Sequence, residues 1–191
     1  MLEEWGKAAA VYAEILRAFP DDAHAYFAAH GLYHEKLHTF RDAFAVSERW
    51  LSRHPDDFAA EGNLAESYFT NGRFAESDSR ITALLAEDRL EPQTKIALRA
   101  VQIAALLAQE KTDAMAERLA ALHAAVAAQP EQFKGDWTFA GTNHFIAQHE
   151  GLRKHAWLSE LLTAVGAANQ TTMLTVIERA QASIKAVARR D

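Results

Sequence analysis

The stretch FAAEGNLAESYFTNGRFAESDSRITALLAED, Phe58 to Asp88, decides the reading of the chain. Leu64, Ala65 and Tyr68 fall on one side of a 3.6-residue helical period, and polar residues fill the other. Asn71-Gly72 then interrupts the pattern, because glycine accepts the left-handed conformation that ends a helix without steric cost. Phe74, Ser77, Ile81, Leu84 and Leu85 resume it at intervals of three and four. A turn this short folds the second helix back on the first as a hairpin. Ala65 and Ser77 let the two backbones approach, since close helix packing needs a small residue opposite a large one.

The same spacing recurs on both sides. Phe40, Ala43, Ser47, Trp50, Leu51 and Pro55 repeat the second-helix pattern, as do Trp5, Ala8, Tyr12, Ile15, Leu16 and Pro20. Met115, Arg118, Leu122, Ala125, Val126 and Pro130 repeat it again. The first-helix set Glu61, Leu64, Ala65, Tyr68 is matched by Tyr26, Ala29, His30, Tyr33, by Ala97, Ala100, Val101, Ala104 and by Trp137, Ala140, Gly141, His144. Pro20, Pro55, Pro92 and Pro130 punctuate the chain at intervals of 35, 37 and 38 residues, always between amphipathic stretches.

On these residues the chain resembles the tetratricopeptide repeat family, whose unit is a helix-turn-helix of about 34 residues. The resemblance implies an all-α, right-handed α-solenoid of antiparallel hairpins, with three to four hairpins and a C-terminal capping helix in one domain spanning 1–191. The units run over about 23–55, 58–89, 94–130 and 134–166, and the cap over 171–189. Relative to Tyr68–Phe74, the first unit carries one extra residue between Tyr33 and Phe40, placed in its turn. Helices are expected near 2–18, 22–36, 40–53, 57–71, 74–87, 92–109, 112–128, 135–149, 151–166 and 171–189. The first of them has no partner helix before it, which predicts self-association or a longer solenoid.

Composition excludes several other classes. With 49% apolar residues the chain can bury a core, and with no cysteine it has neither a disulfide framework nor thiol chemistry. No apolar run reaches the roughly 18 residues of a membrane span. The start Met1-Leu2-Glu3-Glu4-Trp5 lacks the features of a secretory signal, so a cytoplasmic protein is expected. A net charge of -6 and a pI near 5.8 argue against nucleic acid or an anionic membrane as partner.

His34-Glu35-Lys36-Leu37-His38 spells the zincin metalloprotease motif, in which two histidines one helical turn apart share a zinc and the glutamate polarises its water. That makes a zinc-dependent hydrolase one alternative. The repeat register weighs against it by placing His38 in the turn, and no further histidine follows at metzincin spacing. His30 and His144 fall on core positions, where a packed, hydrogen-bonded histidine is expected. No phosphate loop and no Gly-x-Ser-x-Gly elbow is present, so the expectation is a protein without catalytic residues, cofactor or metal.

In tetratricopeptide solenoids the first helices of successive hairpins line a concave groove, and the resemblance places a peptide-binding surface there. Phe27 and His34 face it from the first hairpin, Asn63, Glu66 and Phe69 from the second, and Lys95, Arg99 and Gln102 from the third. Asn63, Lys95 and Arg99 resemble part of the family's dicarboxylate clamp, which holds acidic C-terminal tails; Phe27 and Gly31 stand where its other residues would be. A guanidinium can hold a carboxylate through two parallel N–H bonds, and Lys95 adds a point charge. The dense aromatic stretch from Phe133 to Phe145 reads as the core of a less regular terminal hairpin. The function expected is a non-catalytic adaptor or chaperone-like scaffold that docks a protein or peptide partner, in particular an acidic or C-terminal segment. A structural oligomerisation module is the remaining alternative.

Overall fold

A computed structural model describes residues 2–129 and 137–187. The architecture is all-helical, and among the described residues there is no strand. The order is α1 (Leu2–Ala18), α2 (Ala23–Gly31) running directly into a π-helical segment (Leu32–Leu37), α3 (Phe40–Leu51), α4 (Phe58–Thr70), α5 (Phe74–Leu85), α6 (Pro92–Ala108), α7 (Thr112–Ala127), α8 (Ala140–Gln148), α9 (Glu150–Arg153), α10 (Ala156–Gly166) and α11 (Gln170–Val187). Among the described residues, no helix is long and apolar enough to cross a membrane.

Equivalent residues of successive hairpins do the same local work. Asp22 and Asp57 cap α2 and α4, accepting from the N–H groups of Ala25 and Ala60 at 2.9 and 3.0 Å. Four turns pass through one left-handed residue: His38 after the π segment, Gly72 between α4 and α5, Glu110 between α6 and α7, and Ala168 between α10 and α11. After Gly72, Glu110 and Ala168 the chain closes alike, with Arg73 N–H on the Tyr68 carbonyl, Lys111 on Leu106 and Asn169 on Ala164 at 2.9 to 3.0 Å. The first turn differs: Thr39 N–H reaches back to the Tyr33 carbonyl, one residue further. The extra residue between Tyr33 and Phe40 therefore lies inside the helix and not in the turn, where it widens the last stretch into π-helix.

Helices from α1 to α7 each pack on their chain neighbours. The C-terminal helices return over them, α8 on the π segment and α4, α10 on α6, and α11 on α7. Helix α4 separates two apolar clusters: Ala60, Leu64 and Tyr68 join Tyr26, Trp50 and Leu16, whereas Ala65 and Phe69 join the larger cluster running through α6, α7, α10 and α11. A single helix over 151–166 is not formed. The chain breaks at Lys154–His155, which lets both Leu152 and Leu158 enter the core; six residues apart, they would lie on different faces of one continuous helix. Residues 134–136 of the fourth unit and the end of the cap, 188–189, lie outside the described residues.

Candidate functional site

The eight residues expected to face a groove separate into two groups. His34, Glu66, Phe69 and Gln102 are buried, at 0, 2, 0 and 0% exposure. For His34, Glu66 and Phe69 the cause is the C-terminal return, because α8 covers the inner side of α4 and the π segment. Phe69 packs against Phe74 and Phe145, with ring centroids 5.5 and 5.2 Å away. Gln102 donates to Asp78 Oδ1 and Thr82 Oγ1 at 2.8 and 2.9 Å, tying α6 to α5. Phe27 stays exposed. Lys95 and Arg99 share one wall of a cleft with Glu91 and Gln129. Burial and the nearby Arg118 charge push the Arg99 guanidinium below its ordinary value. Asn63 does not line that cleft; it donates to the Tyr26 hydroxyl at 3.4 Å.

Beneath α8 lies a polar cluster. The Nδ1 of His34 is 2.8 Å from Glu35 Oε1, and the other oxygen of Glu35 accepts the Gly141 N–H at 2.8 Å. Glu66 accepts from the Trp137 indole N–H at 3.1 Å and from the Thr142 hydroxyl. The Nε2 of His34 faces Thr70 Oγ1 at 3.3 Å. One ligand-type atom from each of His34, Glu35 and Glu66 lies within 4.8 Å of the others. Among the described residues this is the one group of three or more such side chains able to hold a metal.

The arrangement depends on close backbone approach. A Cβ on Gly141 would sit 2.3 Å from the His34 carbonyl oxygen and 2.7 Å from its Nδ1. Only glycine lets the first turn of α8 reach the π segment, and the Gly141 N–H then meets the Glu35 carboxylate, the favoured charge at a helix N-terminus.

Two stacked histidines titrate in opposite senses. His30 and His34 lie 5.4 Å apart with nearly parallel rings. Burial, reinforced by the His34 charge, pushes His30 down to about 3, and its Nε2 meets only the Ser67 hydroxyl, at 3.2 Å. Burial acts in the same direction on His34, but its hydrogen bond to Glu35 and the charges of Glu66 and Glu35 outweigh it and hold the imidazole above its usual value. Glu66 is raised by burial and by Glu35, against the opposing pull of His34. His38 has left the helix at φ 54° and stacks on exposed His144, centroids 3.8 Å apart. The zincin arrangement, with His34 and His38 on one metal, is not assembled, and His144 is a surface residue and not a core one.

Glu35, Thr70, Trp137, Gly141 and Thr142 were not assigned to this site by the repeat pattern. The signal that pointed to it was the single extra residue before Phe40, which becomes the π-helical stretch; such stretches concentrate at functional sites. Of the aromatic stretch 133–145, residues 133–136 lie outside the described residues, Phe139 is in the core, and Trp137 stacks on it at 6.2 Å.

A second feature lies among the first three helices. A cleft of about 270 Å³ opens between α1, α2 and α3, lined by Leu16, Tyr26, Ala29, Tyr33, Val46 and Trp50, with Arg17, Asp42 and Arg49 at its polar edge. No protein-family model, curated protein or solved structure matches the chain.

Proposed function

We propose that the chain is a non-catalytic, tetratricopeptide-like right-handed solenoid in the cytoplasm, and that it binds a helix or peptide of a protein partner in the cleft between α1, α2 and α3. The solenoid reading is supported by the recurring turn geometry, with one left-handed residue after the π segment, α4, α6 and α10, and by the chain-order packing of α1 to α7. One observation carries the binding reading. Among the described residues, the large apolar side chains left exposed are Leu2, Val11, Phe19 and Phe27, all on α1, α2 or the turn between them. Scattered exposed apolar residues are ordinary, and none of these four lines the cleft, but their concentration on the first two helices, which also wall the apolar cleft, favours an interaction surface there.

The partner has a recognisable chemistry. Its anchor is apolar, to fill a cleft walled by Tyr26, Tyr33 and Trp50. Two arginines against one aspartate at the edge favour acidic flanking residues. Amphipathic helices that dock in preformed grooves read this way, and micromolar affinity corresponds to about -8 kcal/mol.

The test is fluorescence anisotropy with helical peptides that carry one Leu or Phe anchor and either Glu or Lys flanks. The Glu-flanked set is expected to bind, and Val46→Asp to weaken it at least tenfold while Arg99→Ala leaves it unchanged. Binding that survives Val46→Asp but falls with Arg99→Ala, and that prefers a free C-terminal carboxylate to its amide, moves the site to the Lys95–Arg99 cleft. Failure of all peptides to bind removes the adaptor reading.

A further inference from the structure

We propose that His34 Nδ1 and the carboxylates of Glu35 and Glu66 form a buried structural site for one divalent transition-metal ion, with zinc the ion it suits. The donors converge from two elements, the π segment and α4, and their ligand atoms lie within 4.8 Å of one another. The 2.8 Å between His34 Nδ1 and Glu35 Oε1 is close to the spacing of adjacent ligands around an ion, about 2.9–3.3 Å for bonds of roughly 2.05 Å. One nitrogen and two carboxylates make a mixed set that first-row dications favour, whereas Mg²⁺ and Ca²⁺ prefer oxygen alone.

The charge balance points the same way. Two carboxylates share this interior with one imidazole, and the charges that act on Glu66 are those of His34 and Glu35. With both carboxylates ionised, a proton on His34 leaves the trio one positive charge short of balance. A divalent ion on a neutral imidazole closes it, and burial makes the difference matter because an uncompensated interior charge is costly.

The surroundings are those that orient metal ligands. A ligating histidine gives its other N–H to a fixed acceptor, and here Nε2 faces Thr70 Oγ1. The outer oxygen of Glu35 is held by Gly141 N–H, and Glu66 is held by Trp137 and Thr142. Each carboxylate oxygen keeps a further lone pair for an ion. Glu35, at 9% side-chain exposure, is the edge of the trio nearest solvent and marks the way in. With the ligands enclosed by α8, the ion fastens the C-terminal return to the π segment and α4.

The experiment uses the full chain, stripped with chelator and titrated with Zn²⁺, then Mn²⁺, with Mg²⁺ as control. Expected are one ion per chain and a raised melting temperature. Glu66→Gln and Glu35→Gln are each expected to weaken Zn²⁺ at least tenfold. In Glu66→Gln the Thr142 hydroxyl can turn to accept from the new amide, so the metal-free fold is retained; should it not fold, Glu35→Gln at the solvent edge decides alone. The double variant His38→Ala, His144→Ala is expected to bind like the parent. No stoichiometric binding and no shift in melting overturns the proposal and leaves the trio a closed hydrogen-bonded ion network. Binding that persists in the glutamine variants but is lost with His38 and His144 overturns it as well, placing the ion on the stacked surface pair.

Discussion

Phe27 and Gly62 stand at the same place in successive hairpins, and they meet opposite surroundings. On the second hairpin, a Cβ at Gly62 would lie 3.0 Å from the Trp137 ring, because the chain's own C-terminal return lies over that face. On the first, Phe27 is 40% exposed, edge-on to Tyr26 at 4.7 Å. Where the molecule covers its inner face, the repeat position shrinks to glycine and polar side chains are drawn into a closed network. Where it does not, the position keeps a large, exposed apolar group. On the proposed reading, the covered face holds the fold and the uncovered one meets a partner.

The sharpest way to break this contrast is to truncate an aromatic at each end. Phe69 lies between Phe74 and Phe145 with no exposed surface, so Phe69→Ala is expected to cost about 3–5 kcal/mol through lost burial and the cavity left behind. Phe27→Ala is expected to stay within about 1 kcal/mol, as exposed substitutions do. Urea titration of both variants checks the pair, and equal losses would mean that the first hairpin is also covered. Phe27→Ala should show itself in peptide binding instead.

Glycine replacement sharpens the comparison at smaller scale. Gly141→Ala drives a Cβ into the His34 backbone, which neither α8 nor the π segment can yield cheaply; a loss of about 1–3 kcal/mol is expected. Gly62→Ala meets only the tip of a side chain, Trp137, and should cost less. Thermal melts followed by tryptophan fluorescence separate the two, since Trp137 hydrogen-bonds Glu66 and reports on the seat of α8. If Gly62→Ala proves the worse, the backbone contact at Gly141 is not what fixes the C-terminal return.

How much of this was legible in the sequence follows from the range of each signal. The hairpins rest on local periodicity and local punctuation: Asp22 and Asp57 at the caps, Gly72 at a turn, apolar residues at three- and four-residue intervals. Such features act within one or two helical turns, and from α1 to α7 helix positions were readable to within a few residues, whereas the single helix expected over 151–166 is broken in two. The fate of the inner face depends on residues far away in the chain. Glu66 is bound by Thr142 and Trp137, more than seventy positions later, and nothing near Glu66 announces them. A glutamate on a groove-facing stripe reads as solvated until the hairpin that covers it is known. His34 is an intermediate case: the extra residue before Phe40 was visible, but an insertion can widen a turn or a helix, and only packing against Gly141 selects the latter.

The paired histidines give the finest probe of the buried face, because they respond to pH with opposite signs. His30 is neutral in the folded chain down to about 3, against 6.5 as its ordinary value. Between those values the unfolded chain carries the extra proton, so this residue lowers stability as pH falls below about 6.5, by up to about 1.4 kcal/mol per pH unit. His34 is raised, so its contribution is complete below 6.5 and is lost as pH rises through its folded value. Glu66, raised from 4.5, also loses its contribution as pH rises. Many carboxylates across the surface titrate in the acid range too, which makes the slope of one protein ambiguous and a difference between two informative. His30→Gln keeps a hydrogen-bond partner for Ser67 and removes the proton site. Urea titrations at intervals from pH 6 to pH 4 should show the parent losing stability faster than His30→Gln, by about 1.4 kcal/mol per unit at most. Parallel profiles would mean that His30 reaches solvent and takes its proton in the folded state, so that the face it occupies is open as Phe27 is.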